Sequence, residues 1–413
     1  MEFKELLNKY AKLIVNVGVN IQKGQMLVVN GSVTSMDLAR EIALEAYKAG
    51  ASKVQVKYND DILARYALLY QADETLKEVP EWFIDERLYA IEKGAAMVSI
   101  TSPNPKAMEG VNPEKMKISQ QAVQAHPKFQ DIMAYTMGNR GQWCVVAMPS
   151  DEWAKKVFPS LPIKEAYERL WLAILKASRV SEDNNPVTAW EEHNGNISRR
   201  SKIMNEHNFK SLHYKNSLGT DLDIELVNNH IWAGGSEHTT KGIIFNPNIP
   251  TEEVFTMPLK TGVNGKVFST KPLFYNGKLI EDFWFEFKNG KVIDFGAKKE
   301  YETLKTLVEN DPGSSYLGEV ALVQYDSPIS NSGILFYNTL FDENASCHLA
   351  LGNAYPMNVK GGISMSRDQL KEAGANSSFT HVDFMIGNKD LDIVGTKHDG
   401  SKVQIFKNGN FVF

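Results

Sequence analysis

Residues 380–386 read Thr-His-Val-Asp-Phe-Met-Ile, and their β-branched and aromatic side chains predict a strand. Side chains alternate between the two faces of a strand. His381 and Asp383 would therefore share one face, while Val382 and Phe384 would lie on the other. An imidazole and a carboxylate side by side, backed by an apolar face, form half of a ligand shell for a divalent cation. The alternative is a strand with a solvated polar face, and other residues of the chain bear on that choice.

Further residues of the chain could supply metal ligands. Glu319 lies in the run Gly-Glu-Val-Ala-Leu-Val at 318–323, which predicts a buried strand, and a lone buried carboxylate is costly unless it has a cationic partner or lies at a solvated strand end. His348 begins another apolar run, where a structural role is the alternative. Glu252 and Glu253 are adjacent, so in an extended chain their carboxylates point in opposite directions. Two exposed surface glutamates are the alternative there.

The candidate ligands are mostly carboxylates, joined by two histidines: Glu253, Glu319, Glu343, His348, His381 and Asp383. This mixture suits a pair of hard or borderline ions better than one tetrahedral zinc. Two ions about 3.5–4 Å apart that share carboxylates are common in hydrolases, where they lower the pKa of a bound water. The motif H-E-x-x-H is absent, and two cysteines are too few for a zinc finger.

Cys347 precedes His348 directly, which raises the possibility of a cysteine hydrolase. A cysteine nucleophile needs its base within hydrogen-bonding distance. Neighbouring residues in a strand project to opposite faces, so this pair cannot meet. Cys347 is therefore predicted to be a packed thiol.

Length and composition indicate an ordinary globular protein. A chain of 413 residues is too long for one core and predicts two domains. The net charge of −5 and the lack of a Lys/Arg run argue against nucleic acid as a partner. Two cysteines fit a reducing compartment. The charged, amphipathic start and the absence of a long apolar run predict neither a signal peptide nor a membrane helix, so we expect a cytoplasmic protein.

The first part of the chain predicts an α/β domain. Strand-like runs at 26–29, 54–58, 97–100 and 143–147 alternate with helical stretches, which favours a mostly parallel sheet with crossover helices. Neither G-x-G-x-x-G nor G-x-x-x-x-G-K-[ST] occurs, so a nucleotide site is not supported. The polar segment 181–185 precedes Pro186, and we predict the boundary there, giving domains at 1–185 and 186–413.

The second part predicts an α+β domain rich in antiparallel strands. Asn-Gly supplies the positive φ angles of type I′ hairpin turns, and such pairs occur at 276–277, 289–290 and 408–409. Helices are expected at about 301–309 and 366–373, the latter starting with the capping-box pair Ser366 and Gln369. All the candidate metal ligands lie in this domain.

Several motifs, taken in order, resemble those of the thermophilic aminopeptidase family. They are Gly-Thr-Asp-Leu at 219–222, Glu-Glu-Val-Phe-Thr at 252–256, the segment 344–355, and His-Val-Asp at 381–383. The resemblance covers the whole chain and is most specific over residues 250–385. It implies a cytoplasmic homodimeric metallo-aminopeptidase with two co-catalytic metal ions and partly enclosed active sites. Its substrates would be peptides with a free N-terminus.

The resemblance also implies roles for individual residues. The metal ligands would be Glu253, Glu319, His348, His381 and Asp383, with Glu343 as a further ligand and Tyr355 at the site. In the reaction we expect Glu252 to be the general base, with Glu343 as the competing candidate. Tyr355 would donate a hydrogen bond to the oxyanion. The metal could be zinc, cobalt, manganese or magnesium. The alternatives to an aminopeptidase are a dipeptidase or amidase, and a non-catalytic protein that a metal stabilises.

Overall fold

The computed structural model describes residues 3–276 and 278–413, the side chain of residue 130 excepted. The chain forms two compact units. The first comprises the residues up to Glu192 together with Ser236–Pro250, and the second comprises His193–Gly235 and Thr251–Phe413. The boundary predicted before Pro186 stays a prediction. Among the described residues, every helix is too short or too polar to cross a lipid bilayer.

Helices are concentrated in the first half of the chain. In order they are α1 (Phe3–Leu13), α2 (Met36–Lys48), α3 (Asp61–Tyr70), α4 (Asp73–Leu76), α5 (Glu81–Glu92), α6 (Pro113–Ala125), α7 (Phe129–Met137), α8 (Asp151–Val157), α9 (Ile163–Ala177), α10 (Pro186–His207), α11 (Tyr301–Val308), α12 (Pro328–Ser332), α13 (Thr339–Asp342) and α14 (Arg367–Glu372). A π-helical turn, Ile14–Gly18, continues α1, and 3-10 turns occur at Val33–Ser35, Glu343–Ala345, Pro356–Asn358 and Gly362–Ser364.

Strands are concentrated in the second half. In order they are β1 (Met26–Ser32), β2 (Lys53–Asn59), β3 (Ala96–Thr101), β4 (Trp143–Ala147), β5 (Phe209–Lys215), β6 (Asp221–Leu226), β7 (Glu237–His238), β8 (Ile244–Phe245), β9 (Val254–Thr256), β10 (Pro258–Phe268), β11 (Leu273–Tyr275), β12 (Lys278–Lys288), β13 (Lys291–Lys299), β14 (Leu317–Leu322), β15 (His348–Gly352), β16 (His381–Met385), β17 (Asp392–Lys397), β18 (Lys402–Lys407) and β19 (Asn410–Phe411).

The first unit contains the predicted parallel sheet, in the order β2-β1-β3-β4. Its central strand β1 begins Met-Leu-Val-Val and is buried along that run, as expected for a parallel strand covered on both faces. Ser35, which directly precedes α2 and is a residue type that commonly caps helices, makes no side-chain capping bond there. Instead Ser32 accepts the Thr34 N–H at the start of a 3-10 turn, while the Ser35 hydroxyl donates to the Ser32 carbonyl.

The second unit contains a long antiparallel sheet in the order β11-β12-β10-β6-β5-β17-β18-β19, with β13 pairing with β12. The Asn-Gly turns at 289–290 and 408–409 have positive φ at both residues, as type I′ turns require. The turn predicted at 276–277 includes Gly277, which lies outside the described residues. The α/β and α+β fold class predicted from the sequence is confirmed.

A second, shorter sheet of the same unit carries the candidate site. Its strands are antiparallel in the order β16-β15-β14-β9. One face is apolar and buried in the main hydrophobic core of the unit, through Val254, Val320, Leu322, Leu349 and Phe384. That burial fixes the register, because a shift by one residue would place the polar side chains in the core. The opposite face is therefore left to the candidate ligands.

Candidate metal centre

The strand register brings four of the predicted ligands onto one face of the shorter sheet. Glu319 lies opposite Ala350, and Ala350 lies opposite Asp383 in the next strand. Directly opposed residues of antiparallel strands point to the same side. His348 precedes Ala350 by two residues and His381 precedes Asp383 by two, so both imidazoles share that face as well. The face predicted for His381 and Asp383 is thus the face of the whole cluster.

Small residues leave room between these side chains. Ala350 lies between Glu319 and Asp383 in the register, and Gly352 lies opposite His381. Gly352 has a φ of +114°, and a Cβ there would lie 2.0 Å from the Thr380 carbonyl oxygen. Only glycine fits at that position. The alternation His-x-Ala-x-Gly in β15 therefore keeps space above the sheet open beside the imidazole.

A β-bulge in β14 sets the position of Glu319. The register shifts between Leu317 and Glu319, and a Cβ on the intervening Gly318 would lie 2.4 Å from the carbonyl oxygens of Gly352 and Asn353. Bulges commonly re-aim a side chain beside a functional site. Here the bulge places a carboxylate that is only 4% exposed against two imidazoles rather than leaving it alone in the core.

The distances define two overlapping groups. His348 Nε2 lies 3.2 Å from Glu253 Oε2 and 3.6 Å from Glu319 Oε1. His381 Nε2 lies 3.5 Å from Glu319 Oε2 and 3.3 Å from Asp383 Oδ1. In each group, one potential ligand atom from each residue lies within 4.8 Å of the others. Glu319 belongs to both groups and turns one oxygen towards each imidazole.

Hydrogen bonds fix both imidazole rings with Nε2 turned inward. His381 Nδ1 lies 2.7 Å from the Asn353 carbonyl oxygen, and His348 Nδ1 lies 3.2 Å from the Ser346 carbonyl oxygen. A carbonyl only accepts, so Nδ1 carries the proton, and in the neutral ring the Nε2 lone pair points into the cluster. Metal-binding histidines usually have such a partner on their other nitrogen. Sequence reasoning missed Asn353 and Ser346, because backbone acceptors leave no residue-type signal.

The cluster requires positive charge. Burial would lower the pKa of His348, but hydrogen bonds with Glu253 and Glu319 outweigh it and raise that pKa well above its ordinary value. Burial would likewise lower the pKa of His381, and Asp383 and Glu319 raise it to about 10. Buried Asp383 Oδ1 lies 3.3 Å from His381 Nε2 without the geometry of a hydrogen bond. Carboxylates that draw protons onto two imidazoles in this way fit a site for cations.

Glu343 and Tyr355 lie beside the two groups. Burial raises the pKa of Glu343 well above its ordinary value, and the charges of Asp383 and Glu253 raise it further. The Tyr355 ring packs 4.7 Å from the His381 ring, centroid to centroid. Burial, and then the nearby carboxylates, raise the pKa of Tyr355 well above its ordinary value, so its hydroxyl keeps its proton as a donor.

Glu252 points away from Glu253, as expected for adjacent residues in extended chain. Its side chain is 5% exposed, and Oε2 lies 3.8 Å from Nε2 of His193 in α10. Its backbone N–H donates to Asn344 Oδ1 at 2.7 Å. Neither glutamate is the exposed surface residue considered as an alternative. The contacts of His193 and Asn344 with Glu252 gave no signal in the sequence, because both residues are distant from Glu252 along the chain.

The thiol of Cys347 packs on the apolar side of the sheet. It is 1% exposed, and its Sγ lies 3.3 Å from the Val323 carbonyl oxygen. Burial raises its pKa to about 12. A thiol that stays protonated at neutral pH is a poor nucleophile, and the predicted packing role is confirmed.

The open space above Ala350 can be tested by filling it. Ala350→Val adds two methyl groups between Glu319 and Asp383, so we expect a lower metal content and lower activity, with an overpacking cost of about 1–3 kcal/mol in the free energy of unfolding. Leu349→Val, on the apolar face, is the matched control: it should lose about 1 kcal/mol of stability and keep its metal. Elemental analysis and thermal unfolding measure both. Equal metal contents in the two variants would contradict the conclusion that metal binds in the space above Ala350.

Buried carboxylates grouped with inward-facing imidazoles are the ligand arrangement of metalloenzymes. The sequence model of the family described as thermophilic metalloproteases (M29) matches residues 3–411. The chain belongs to this family, whose description implies a hydrolase that depends on divalent metal, and the resemblance drawn from the motifs is confirmed.

Relatives similar to this chain align with it over almost their whole length. Aminopeptidase AmpS of Bacillus subtilis (strain 168) is 48% identical over 411 residues, covering 100% of this chain and 99% of the relative. Aminopeptidase 2 of Geobacillus stearothermophilus is 45% identical and covers 98% of both chains. The structure of wild-type AmpT from Thermus thermophilus matches with a TM-score of 0.92 at 38% identity, with full coverage of both chains.

A more distant structure shares the fold alone. A dihydroxypyridine dioxygenase from Pseudomonas putida KT2440 matches with a TM-score of 0.54 at 11% identity, covering 99% of this chain. Enzymes of different chemistry can share an architecture. The side chains of the site, and not the architecture, therefore decide the reaction.

Proposed function

We propose that the protein is an aminopeptidase that removes the first residue of peptides with a free N-terminus, using two divalent ions. The observation that carries this proposal is Glu319, whose two oxygens face different imidazoles, at 3.6 Å for His348 and 3.5 Å for His381. Glu319 would therefore help to hold both ions. Glu253 and His348 would complete the first ion's ligands, and His381 and Asp383 those of the second.

The ions would supply a Lewis acid and lower the pKa of water. The protein's own residues contribute orientation and proton transfer. Tyr355, which keeps its proton, would donate a hydrogen bond to the carbonyl oxygen as negative charge develops there. A carboxylate would take the proton from the attacking water and deliver it to the leaving amine.

Two carboxylates are candidates for that base. Glu343 lines the same cavity as Asp383, a member of the second group. Glu252 is directed towards His193, 3.8 Å away. This geometry favours Glu343, reversing the order expected from the sequence, where Glu252 came first. Glu343 has a competing role as a further metal ligand, so the mutants described in the Discussion measure both metal content and rate.

The requirement for a free amine gives a direct test. Acetylating the N-terminus of a peptide removes the group that would bind a metal ion or meet Glu343, so turnover should fall almost to zero. The measurement is hydrolysis of matched free and acetylated peptides, with and without a chelator. Equal rates on both peptides would indicate an endopeptidase or amidase. Cleavage restricted to dipeptides would indicate a dipeptidase.

Metal analysis separates catalysis from a purely structural metal. We expect about two ions per chain, loss of activity on prolonged chelation, and recovery when zinc, cobalt, manganese or magnesium is returned. Full activity in a metal-free preparation would contradict the proposal. A bound ion without hydrolysis of any peptide would support the non-catalytic alternative.

We also propose a cytoplasmic homodimer. Helix α3 buries none of its residues, and it exposes Leu63 and Tyr70 by 64% and 82%. Apolar exposure of this kind marks interaction surfaces. Light scattering should give twice the chain mass for the wild type and less for Leu63→Lys, and a wild-type monomer at micromolar concentration would contradict the dimer.

A further inference from the structure

One fully buried side chain of the second unit contacts two separate parts of the candidate centre. Asn344 directly follows Glu343, in the 3-10 turn Glu343–Ala345. Its Oδ1 accepts the backbone N–H of Glu252 at 2.7 Å, from a residue 92 positions away along the chain. Its Nδ2 donates to the Leu340 carbonyl oxygen at 3.0 Å and lies 3.5 Å from Glu343 Oε1. The amide therefore turns its acceptor to one segment of the site and its donors to the other.

The orientation of this amide follows from its partners. A backbone N–H only donates and a backbone carbonyl only accepts, so Oδ1 must face Glu252 and Nδ2 must face Leu340. Buried polar groups are costly when they lose such partners, because no water replaces them. Asparagine offers both an acceptor and donors at this length. Aspartate would keep only the acceptor, and alanine would lose both.

The bond to Glu252 bears on its neighbour Glu253, which belongs to the first group of candidate ligands. Asn344 holds the backbone of this segment at the Glu252 N–H. His193 Nε2 holds it one residue earlier, 2.7 Å from the Thr251 carbonyl oxygen. Residues behind metal ligands commonly fix the direction in which those ligands point. The segment that presents Glu253 is therefore fixed by two side chains from other parts of the unit.

The contact with Glu343 bears on proton transfer. The distance of 3.5 Å from Asn344 Nδ2 to Glu343 Oε1 is at the long end for a hydrogen bond. Glu343 is the base favoured above, and it lines the same cavity as Asp383. An N–H donor beside Oε1 limits the rotation of the carboxylate, which leaves Oε2 to accept the proton.

We propose that Asn344 is a positioning residue that links the ligand segment to the base. It holds Glu253 in place through the Glu252 N–H, and it orients the Glu343 carboxylate through its own N–H. The first link concerns metal binding alone. The second link rests on the proposed aminopeptidase function, in which Glu343 takes the proton.

Two variants separate the two halves of the amide. Asn344→Asp keeps the acceptor for the Glu252 N–H but replaces the donor with an oxygen that repels Glu343. It should keep the wild-type metal content, while kcat falls by about 10- to 100-fold, as for residues that support a ligand, with KM little changed. Asn344→Ala loses both bonds, so its metal content should fall as well. Asn344→Leu, of similar volume, makes the same test if Asn344→Ala does not fold.

Elemental analysis gives the metal content, and hydrolysis of a free-amine aminoacyl anilide gives kcat and KM. A matched control is Asn205→Asp, because Asn205 likewise accepts one backbone N–H and donates to one backbone carbonyl, both of Trp232 at 2.9 Å. Trp232 lies in the hydrophobic core and belongs to neither ligand group. This variant should lose thermal stability and keep the wild-type metal content and kcat. A purely structural Asn344 would give the same result in Asn344→Asp.

A double variant measures whether Asn344 acts through the base. Residues that act as a unit are not additive. The variant that combines Glu343→Gln with Asn344→Asp should therefore be no slower than Glu343→Gln alone. A further fall in kcat equal to that of Asn344→Asp in the wild type would overturn the link to Glu343.

The remaining outcomes separate this proposal from the proposed function. Wild-type metal content in both Asn344→Ala and Asn344→Leu would overturn the link to Glu253, and wild-type kcat in Asn344→Asp would overturn the link to Glu343. If the metal-loaded wild type cleaves no free-amine substrate, the aminopeptidase proposal and the link to Glu343 fail together. The metal content of Asn344→Ala then still decides the link to Glu253.

Discussion

Glu319→Gln is expected to empty both metal positions and to lower kcat/KM by more than about 100-fold, which is the upper end for residues that only support a ligand. The amide keeps the shape of the side chain but removes the charge shared by the two groups. Glu319 Oε1 and Oε2 lie 3.6 and 3.5 Å from the two imidazoles, so one substitution acts on both. Elemental analysis beside peptide hydrolysis measures the effect.

A matched control is Glu225→Gln, the same change at an exposed strand position of the same unit. It should retain wild-type metal content and rate. His348→Gln provides a graded comparison, because His348 belongs to only one of the two groups. This substitution should weaken the binding of one ion more than that of the other. If Glu319→Gln kept two ions and full activity, Glu319 would not be a shared ligand.

Glu343→Gln should lower kcat by about 10²–10⁴-fold, the usual contribution of a general base, with KM little changed if metal is retained. Glu252→Gln should keep its metal and a rate much closer to that of the wild type. The reason is geometric: the Glu252 side chain contacts His193, whereas Glu343 lines the cavity beside Asp383. Glu253→Gln should instead lose metal, because Glu253 Oε2 lies 3.2 Å from His348 Nε2.

The discriminating measurement is metal content and kcat for all three glutamine variants under the same conditions. A metallated but inactive Glu252→Gln beside an active Glu343→Gln would return the base to Glu252. A Glu343→Gln variant that is inactive because it has lost metal would make Glu343 a ligand rather than the base.

The sequence predicts which side chains share a face within one strand of the site, but it does not predict how the strands of the site pair. His381 and Asp383 share a face because of strand periodicity, and the apolar residues between them identify the other face. The buried position of Glu319 also follows from its apolar run, since a lone charge there needs a partner. These conclusions depend on a few residues adjacent in the chain.

Pairing between strands is what local sequence does not specify. Nothing near Glu319 indicates that it lies opposite Ala350, or that a bulge at Gly318 turns it towards two imidazoles. The different directions of Glu252 and Glu253 are predictable, but which of them faces the cluster depends on the pairing of Val254 with Leu322. The sequence supplies the candidate ligands and the family resemblance supplies their roles, whereas the geometry that relates them comes from the fold.

The order β16-β15-β14-β9 has a consequence for how the protein folds. Glu253 and Asp383 are separated by most of the second unit along the chain, yet they reach one cluster only after three non-local strand pairings. Such pairings form slowly, because loop closure precedes the contacts that reward it. Ions would then bind tightly only after the sheet has formed. They should slow unfolding while leaving the refolding rate nearly unchanged, as interactions absent from the transition state do.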